Sequence, residues 1–140
     1  MAWEALCNSW PMKALSIKQP WAQLIIMGAK DIENRSRRTN FRGRFAVHVS
    51  LKRANYEDVD DAAIPPDLRE LVKRAWERNA FAGRVIGTVE LADCIRDSDS
   101  IWAIDNYWHW VLCDPRPYSQ SRPAKGQLGL WEWTPSRSSR

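Results

Sequence analysis

Ala14-Leu15-Ser16-Ile17-Lys18-Gln19-Pro20-Trp21-Ala22 reads as a short strand that turns directly into a helix. Ala14 to Ile17 is the strand. Pro20 suits the first helical position, because its missing N–H would have no partner there in any case. Trp21, Leu24 and Ile25 then fall on one face at i, i+3, i+4. Gly28 ends the helix, since it takes the left-handed conformation without a Cβ clash. The helix is therefore expected over Pro20–Met27.

Strand signals dominate the rest of the chain. Lys30–Arg35 is expected extended. Gly43–Val49 alternates strongly, with Phe45, Val47 and Val49 on one side and Arg44, Ala46 and His48 on the other. Gly83 to Cys94 is rich in Val, Ile and Thr, and Trp108–Cys113 and Leu128–Trp133 are further strands. Pro65-Pro66 precedes a helix over Asp67–Asn79, whose apolar stripe is Leu68, Leu71, Val72, Ala75 and Trp76. The acidic segment from Ala54 to Ile64 fits either state. Several strands with two helices and no regular βα alternation argue an α+β fold built on a mixed or antiparallel barrel. Its expected core is Leu15, Leu24, Ile25, Phe45, Val47, Leu71, Val72, Val89 and Leu130.

The 140 residues favour one domain. Residues 1–11 are expected to form an N-terminal extension, 12–133 the domain, and the Ser/Arg-rich 134–140 a disordered tail. The net charge is +4, and it is unevenly placed. Lys30 to Arg53 holds eight cations against Asp31 and Glu33, a net +6, whereas Ala54 to Glu77 is net −4. One stretch therefore carries the positive field. Cys7, Cys94 and Cys113 are odd in number and lack metal-ligand spacing, and His48 and His109 are isolated. Neither a metal nor a cofactor is expected, and a reduced, cytoplasmic compartment fits best. The first residues lack the basic start and apolar run of a signal peptide, and no stretch reaches membrane-spanning length.

Polar chemistry concentrates in two places. In Gly28-Ala29-Lys30-Asp31-Ile32-Glu33-Asn34-Arg35, a glycine turn precedes a strand from which Glu33 and Arg35 project on one side. A carboxylate beside cations can anchor a ligand, or it can form an ion pair that closes the barrel. In Lys125-Gly126-Gln127-Leu128-Gly129-Leu130-Trp131, two glycines would let backbone approach a ligand, with Lys125 and Gln127 supplying polar contacts. The alternative is a barrel-closing turn. Nine tryptophans offer stacking surfaces for bases, although most belong in a core. In Tyr107-Trp108-His109-Trp110 one alternating pair faces the core, and alternation alone does not choose it.

The Ala14–Ala22 stretch, the G-x-K-x-x-E-x-R run at Gly28–Arg35, Arg42-Gly43-Arg44 and Lys125–Trp131 together resemble the ASCH (activating-signal-cointegrator homology) domain family, over Met12 to Trp133. The resemblance implies a PUA-like mixed or antiparallel β-barrel with flanking helices. It also implies a cleft between the motif strand and the loop before the last strand, and a link to RNA. Some members resemble N4-acetylcytidine amidohydrolases, which use a Lys, a Thr three residues later and a Glu on a later strand. Others are ribonucleases. Here Lys30 takes the first position, Glu33 stands where the Thr would be, and Glu90 is the counterpart of the later Glu.

Three functional readings follow. In the first, a module binds single-stranded RNA, another nucleic acid or a nucleotide-like ligand such as a modified nucleoside. Lys18, Arg35, Arg44 and Lys125 contact phosphate, and Gln19, Trp21, His48 and Gln127 complete the site. In the second, a metal-free hydrolase uses Lys30 with Glu33 and Glu90 as candidate catalytic groups. In the third, the basic face meets an acidic protein partner. Convergence of Lys30, Glu33, Arg35, Glu90, Lys125 and Gln127 on one cleft is expected under the ASCH resemblance.

Overall fold

The computed structural model describes residues 10–60, 62 and 64–135. The expected extension and tail fall mostly outside the described residues, as does Cys7. The strands are β1 (Met12–Ile17), β2 (Ile32–Arg35), β3 (Gly43–Val49), β4 (Arg84–Ile95), β5 (Trp108–Pro123) and β6 (Leu130–Trp133). The α-helices are α1 (Trp21–Ile26), α2 (Tyr56–Asp60) and α3 (Arg69–Arg78), with a 3-10 turn at Pro66–Leu68. No described helix is long and apolar enough to cross a membrane.

The strands form one mixed six-stranded sheet in the order β2-β5-β4-β3-β1-β6. β1 runs parallel to β3, and the other pairs are antiparallel. This is the α+β, barrel-like architecture expected from the sequence, but the strand ladder does not close on itself.

Alternation sets the core. Leu15 and Ile17 of β1, Phe45, Val47 and Val49 of β3, and Val89 and Leu91 of β4 share one buried cluster, which Ala22, Ile25 and Ile26 of α1 cover. Gly28 follows α1 with φ +82°, the conformation its position requires. On the opposite face Ala14, Ala46, Val85, Trp131 and Trp133 make a smaller cluster. A third cluster joins Leu24 and Ile32 to Val59, Val72 and Trp102, and so docks α2 and α3 beside the barrel.

Several local expectations shift. The Ala54–Ile64 segment contains α2, anchored by Val59. β5 runs on past Cys113 to Pro123, through register shifts against β4. The last strand begins at Leu130, and Leu128 is fully in solvent. Leu71 is only half-buried. The α3 stripe runs Leu68, Val72, Ala75, Trp76, and at 100° per residue Leu71 sits on its shoulder. Leu130, at the start of edge strand β6, is likewise half-buried. The remaining expected core residues are buried.

Phe45→Ala should cost about 3–5 kcal/mol of unfolding free energy, the usual loss for a buried Phe. Leu71→Ala should cost less than half as much, with both read from urea denaturation midpoints at constant m.

Candidate functional site

The G-x-K-x-x-E-x-R run places its charges where α1 hands over to β2. Lys30 and Glu33 are almost wholly buried, with side-chain exposures of 5% and 10%, and Arg35 retains 29%. Arg35 donates through Nε to Glu33 Oε2 at 2.9 Å, and its Nη2 stands 2.8 Å from the same oxygen as an ion pair. Glu33 Oε1 faces the Lys30 ammonium at 3.7 Å. Lys30 Nζ also donates to the Ile32 carbonyl and lies 5.7 Å from the centre of the Trp21 ring. Burial pushes the Lys30 pKa below its ordinary 10.5, and the Glu33 carboxylate opposes that shift.

Aromatic rings back the ion pair. Glu33 pairs with Trp110 and Arg35 with Trp108 across β2–β5, so both indoles share the face of the motif charges. The Arg35 guanidinium lies 5.9 Å from the Trp110 ring centre. The unresolved alternation in Tyr107–Trp110 is thereby decided. His109 is also buried, but on the other side, where it donates to Ile104 O and accepts from Ser98 N.

Arg35 reaches further. Its Nη2 donates to the Ser16 carbonyl at 2.8 Å, which links β2 to β1 across the open seam of the sheet. The Ser16 hydroxyl meets His48 Nδ1 at 2.8 Å, and His48 Nε2 meets the Ala124 carbonyl at 2.8 Å. A carbonyl only accepts, so Nε2 carries the ring proton and Nδ1 accepts from Ser16. Burial lowers the His48 pKa, which keeps this neutral form. Gly126 packs on the pair: a Cβ there would sit 2.8 Å from His48 Cε1 and 2.9 Å from Ser16 Oγ. Only glycine lets the 124–129 loop lie so close. Three hydrogen-bonded steps thus join the motif strand to that loop.

Ser16 was not among the residues singled out in the sequence. Its signal was available only as a period-two partner of His48 across β1–β3, a register that no local pattern states.

The other candidates separate. Glu90 pairs with Arg44 and Cys113, and its carboxylate meets Cys113 Sγ at 3.6 Å. β5 alternates regularly from Trp110, opposite Glu33, to Cys113, opposite Glu90, so Glu33 and Glu90 occupy opposite faces. The structure does not bring Glu90 to Lys30. Arg44, on the Glu90 face, binds Thr88 Oγ1 and Asp114. Gln19 is buried with its amide bonded to Ala80 O and Gln23 N, so it is a strut beneath α1. Lys18, Lys125 and Gln127 are exposed, and Trp21 is half-buried. Among the described residues no three of His, Cys, Asp and Glu gather as metal ligands. A cavity of about 240 Å³ lies between α2 and α3, beside Tyr56, Val72 and Trp76, and it contains none of the motif residues.

The ASCH domain model matches residues 15–121. Human (Homo sapiens) and mouse (Mus musculus) proteins named activating signal cointegrator 1 are each 26% identical to the chain over 125 residues. The match covers 84% of this chain and 22% of each relative, so the chain spans well under a third of their length.

Two outcomes follow from this geometry. The folded protein releases the Lys30 proton at lower pH than the unfolded chain does. Between the two pKa values the unfolded chain therefore holds more protons, and this group adds stability as pH rises toward 10.5. Lys30→Met should remove that gain, seen as a smaller rise in urea midpoint on the alkaline side than in the parent chain. Gly126→Ala should lift the loop from Ser16 and His48, and the His48 ring 15N shifts should move from the single Nε2–H form toward an exchanging mixture.

Proposed function

The chain belongs to the ASCH domain family, and on that premise we propose that it binds single-stranded RNA, or a nucleotide-sized piece of it, at the seam between β2 and β1. One observation carries the reading: the buried motif charges have hydrogen-bonding capacity left over. Glu33 Oε2 is engaged by the Arg35 guanidinium, while Oε1 faces the Lys30 ammonium at 3.7 Å. Lys30 has three protons and one carbonyl partner besides that carboxylate. An acceptor thus stands beside a donor on a wall lined by Trp21 and Trp110. The Watson–Crick edge of cytosine complements it, with the exocyclic amine toward Glu33 and a ring acceptor toward Lys30. Exposed Lys18 and Lys125 supply phosphate contacts at the rim.

A hydrolase reading draws on the same lysine, because an amine of lowered pKa beside a carboxylate can move protons. It retains Lys30 and Glu33 but has neither the Thr nor a nearby Glu90, so binding is the better-supported function.

The test is titration of tryptophan fluorescence with a short cytidine-containing RNA across a salt series. The two phosphate contacts at Lys18 and Lys125 should weaken binding by roughly sevenfold between 50 and 200 mM salt. Glu33→Gln and Lys30→Met should each lose at least about tenfold in affinity, one bidentate base contact, with circular dichroism reporting the fold. Salt-independent binding, or none, would overturn the reading. Lys30-dependent release of acetate from N4-acetylcytidine would move it to the hydrolase.

A further inference from the structure

Beyond the motif the same face of the sheet continues to Trp108. That residue pairs with Arg35 at the end of the β2–β5 ladder and packs against the main core while staying half-exposed. Two guanidinium groups flank its ring: Arg38 at 5.9 Å and Arg96 at 5.1 Å from the ring centre. Arg37, Arg38 and Arg96 are exposed, and among the described residues none of them is ion-paired. The β2–β3 loop that carries Arg37 and Arg38 is tied down, because Trp110 Nε1 donates to Arg37 O at 3.1 Å.

Among the described residues the two cations at this partly open indole have no carboxylate to neutralise them, although Arg96 Nη2 also donates to the Asn106 carbonyl at 3.3 Å. Each long side chain gives up rotamer freedom to cover a ring that no carboxylate helps to hold. They suit a surface awaiting an anionic, aromatic ligand. Trp108 lies two residues from Trp110 on one strand, so the two positions are about 6.8 Å apart. That is twice the spacing of stacked bases along a strand. A neighbouring base that reaches Trp108 must therefore be splayed from the first, as bases bound on aromatic platforms are.

We propose that Trp108, with Arg38 and Arg96, is a second nucleotide subsite, so that the ligand is a single strand of at least two nucleotides and not a lone nucleoside. The proposal rests on the nucleotide-binding reading above and adds a chain-length requirement to it. The base lies against Trp108. Its phosphate lies toward Arg37 and Arg38, because Asp97, Asp99 and Asp105 flank the segment of Arg96 in sequence and repel phosphate there.

The experiment compares CMP, the dinucleotide CpC and tetracytidylate for affinity to the full chain by tryptophan fluorescence. The expected result is a step of roughly tenfold from CMP to CpC, the size of one base–aromatic stack. Trp108→Leu keeps apolar packing and should erase the step while leaving CMP affinity unchanged. Because Trp108 touches the core, the surface double variant Arg38→Gln/Arg96→Gln gives an independent measure. It should reduce the step and lower the salt slope for CpC but not for CMP. Equal affinity for CMP and CpC, or a step that survives in both variants, overturns the proposal and leaves the first subsite standing. Failure to bind any of the three ligands overturns both. Displacement of CpC by an acidic peptide at equal concentration would assign the platform to a protein partner instead.

Discussion

A strand ladder that does not close leaves two edges, and in this fold one side chain reaches across the opening. Arg35 stands on edge strand β2 and donates to the Ser16 carbonyl of β1, one strand in from the other edge. Its planar fork is aimed by Glu33, whose Oε2 accepts from Nε and sits against Nη2. Glu33 in turn is buried as a charge paired on both sides, by Lys30 and by Arg35. The order of dependence is clear: two cations license the carboxylate, the carboxylate orients the arginine, and the arginine holds the seam. From Ser16 the chain of bonds passes through His48 to Ala124, so the loop before β6 is positioned by the same carboxylate.

This arrangement makes one set of groups both structural and available. An ion pair that closes the barrel and a ligand anchor were alternatives in the sequence; the geometry shows the ion pair bridging the seam, and the anchor is our proposal. Glu33 uses one oxygen for architecture and keeps the other nearly free. A ligand that engages Oε1 and Lys30 adds to the polar satisfaction of a buried cluster without displacing Arg35. Occupancy and barrel stability are then linked in the same direction, as they must be for anything that binds the folded state alone.

What was legible in the sequence divides along physical lines. Period-two alternation exposed β3, Val, Ile and Thr content exposed β4, and period-3.6 stripes exposed α1 and α3, because burial writes itself into local order. The Lys30, Glu33 and Arg35 trio was legible for the same reason, since all three lie within one turn and one strand. Glu90 was not, because which face it occupies relative to Glu33 depends on pairing through β5, and register between distant strands has no local signature. The Ser16–His48 contact was hidden for the same reason. Leu71 and Gln19 failed differently. Leu71 lies at the shoulder of a stripe that only docking could narrow, and the Gln19 amide is bonded to backbone at Ala80, far along the chain. The continuation of β5 through Pro115, Pro117 and Pro123 ran against propensity, and the register shifts against β4 accommodate it.

The pairing of β1 with β6 has a separate significance. Met12 lies opposite Trp133 in that ladder, so the polypeptide enters and leaves the sheet at adjacent positions. A domain wired in this way can be spliced into a surface turn of a larger protein without prying the turn apart, since its points of attachment are already neighbours. It can equally be re-cut, with Met12 and Trp133 joined by a short linker and new ends opened in an exposed loop. The fold is in this sense a cassette, portable between hosts, whose seam and buried charges travel with it intact.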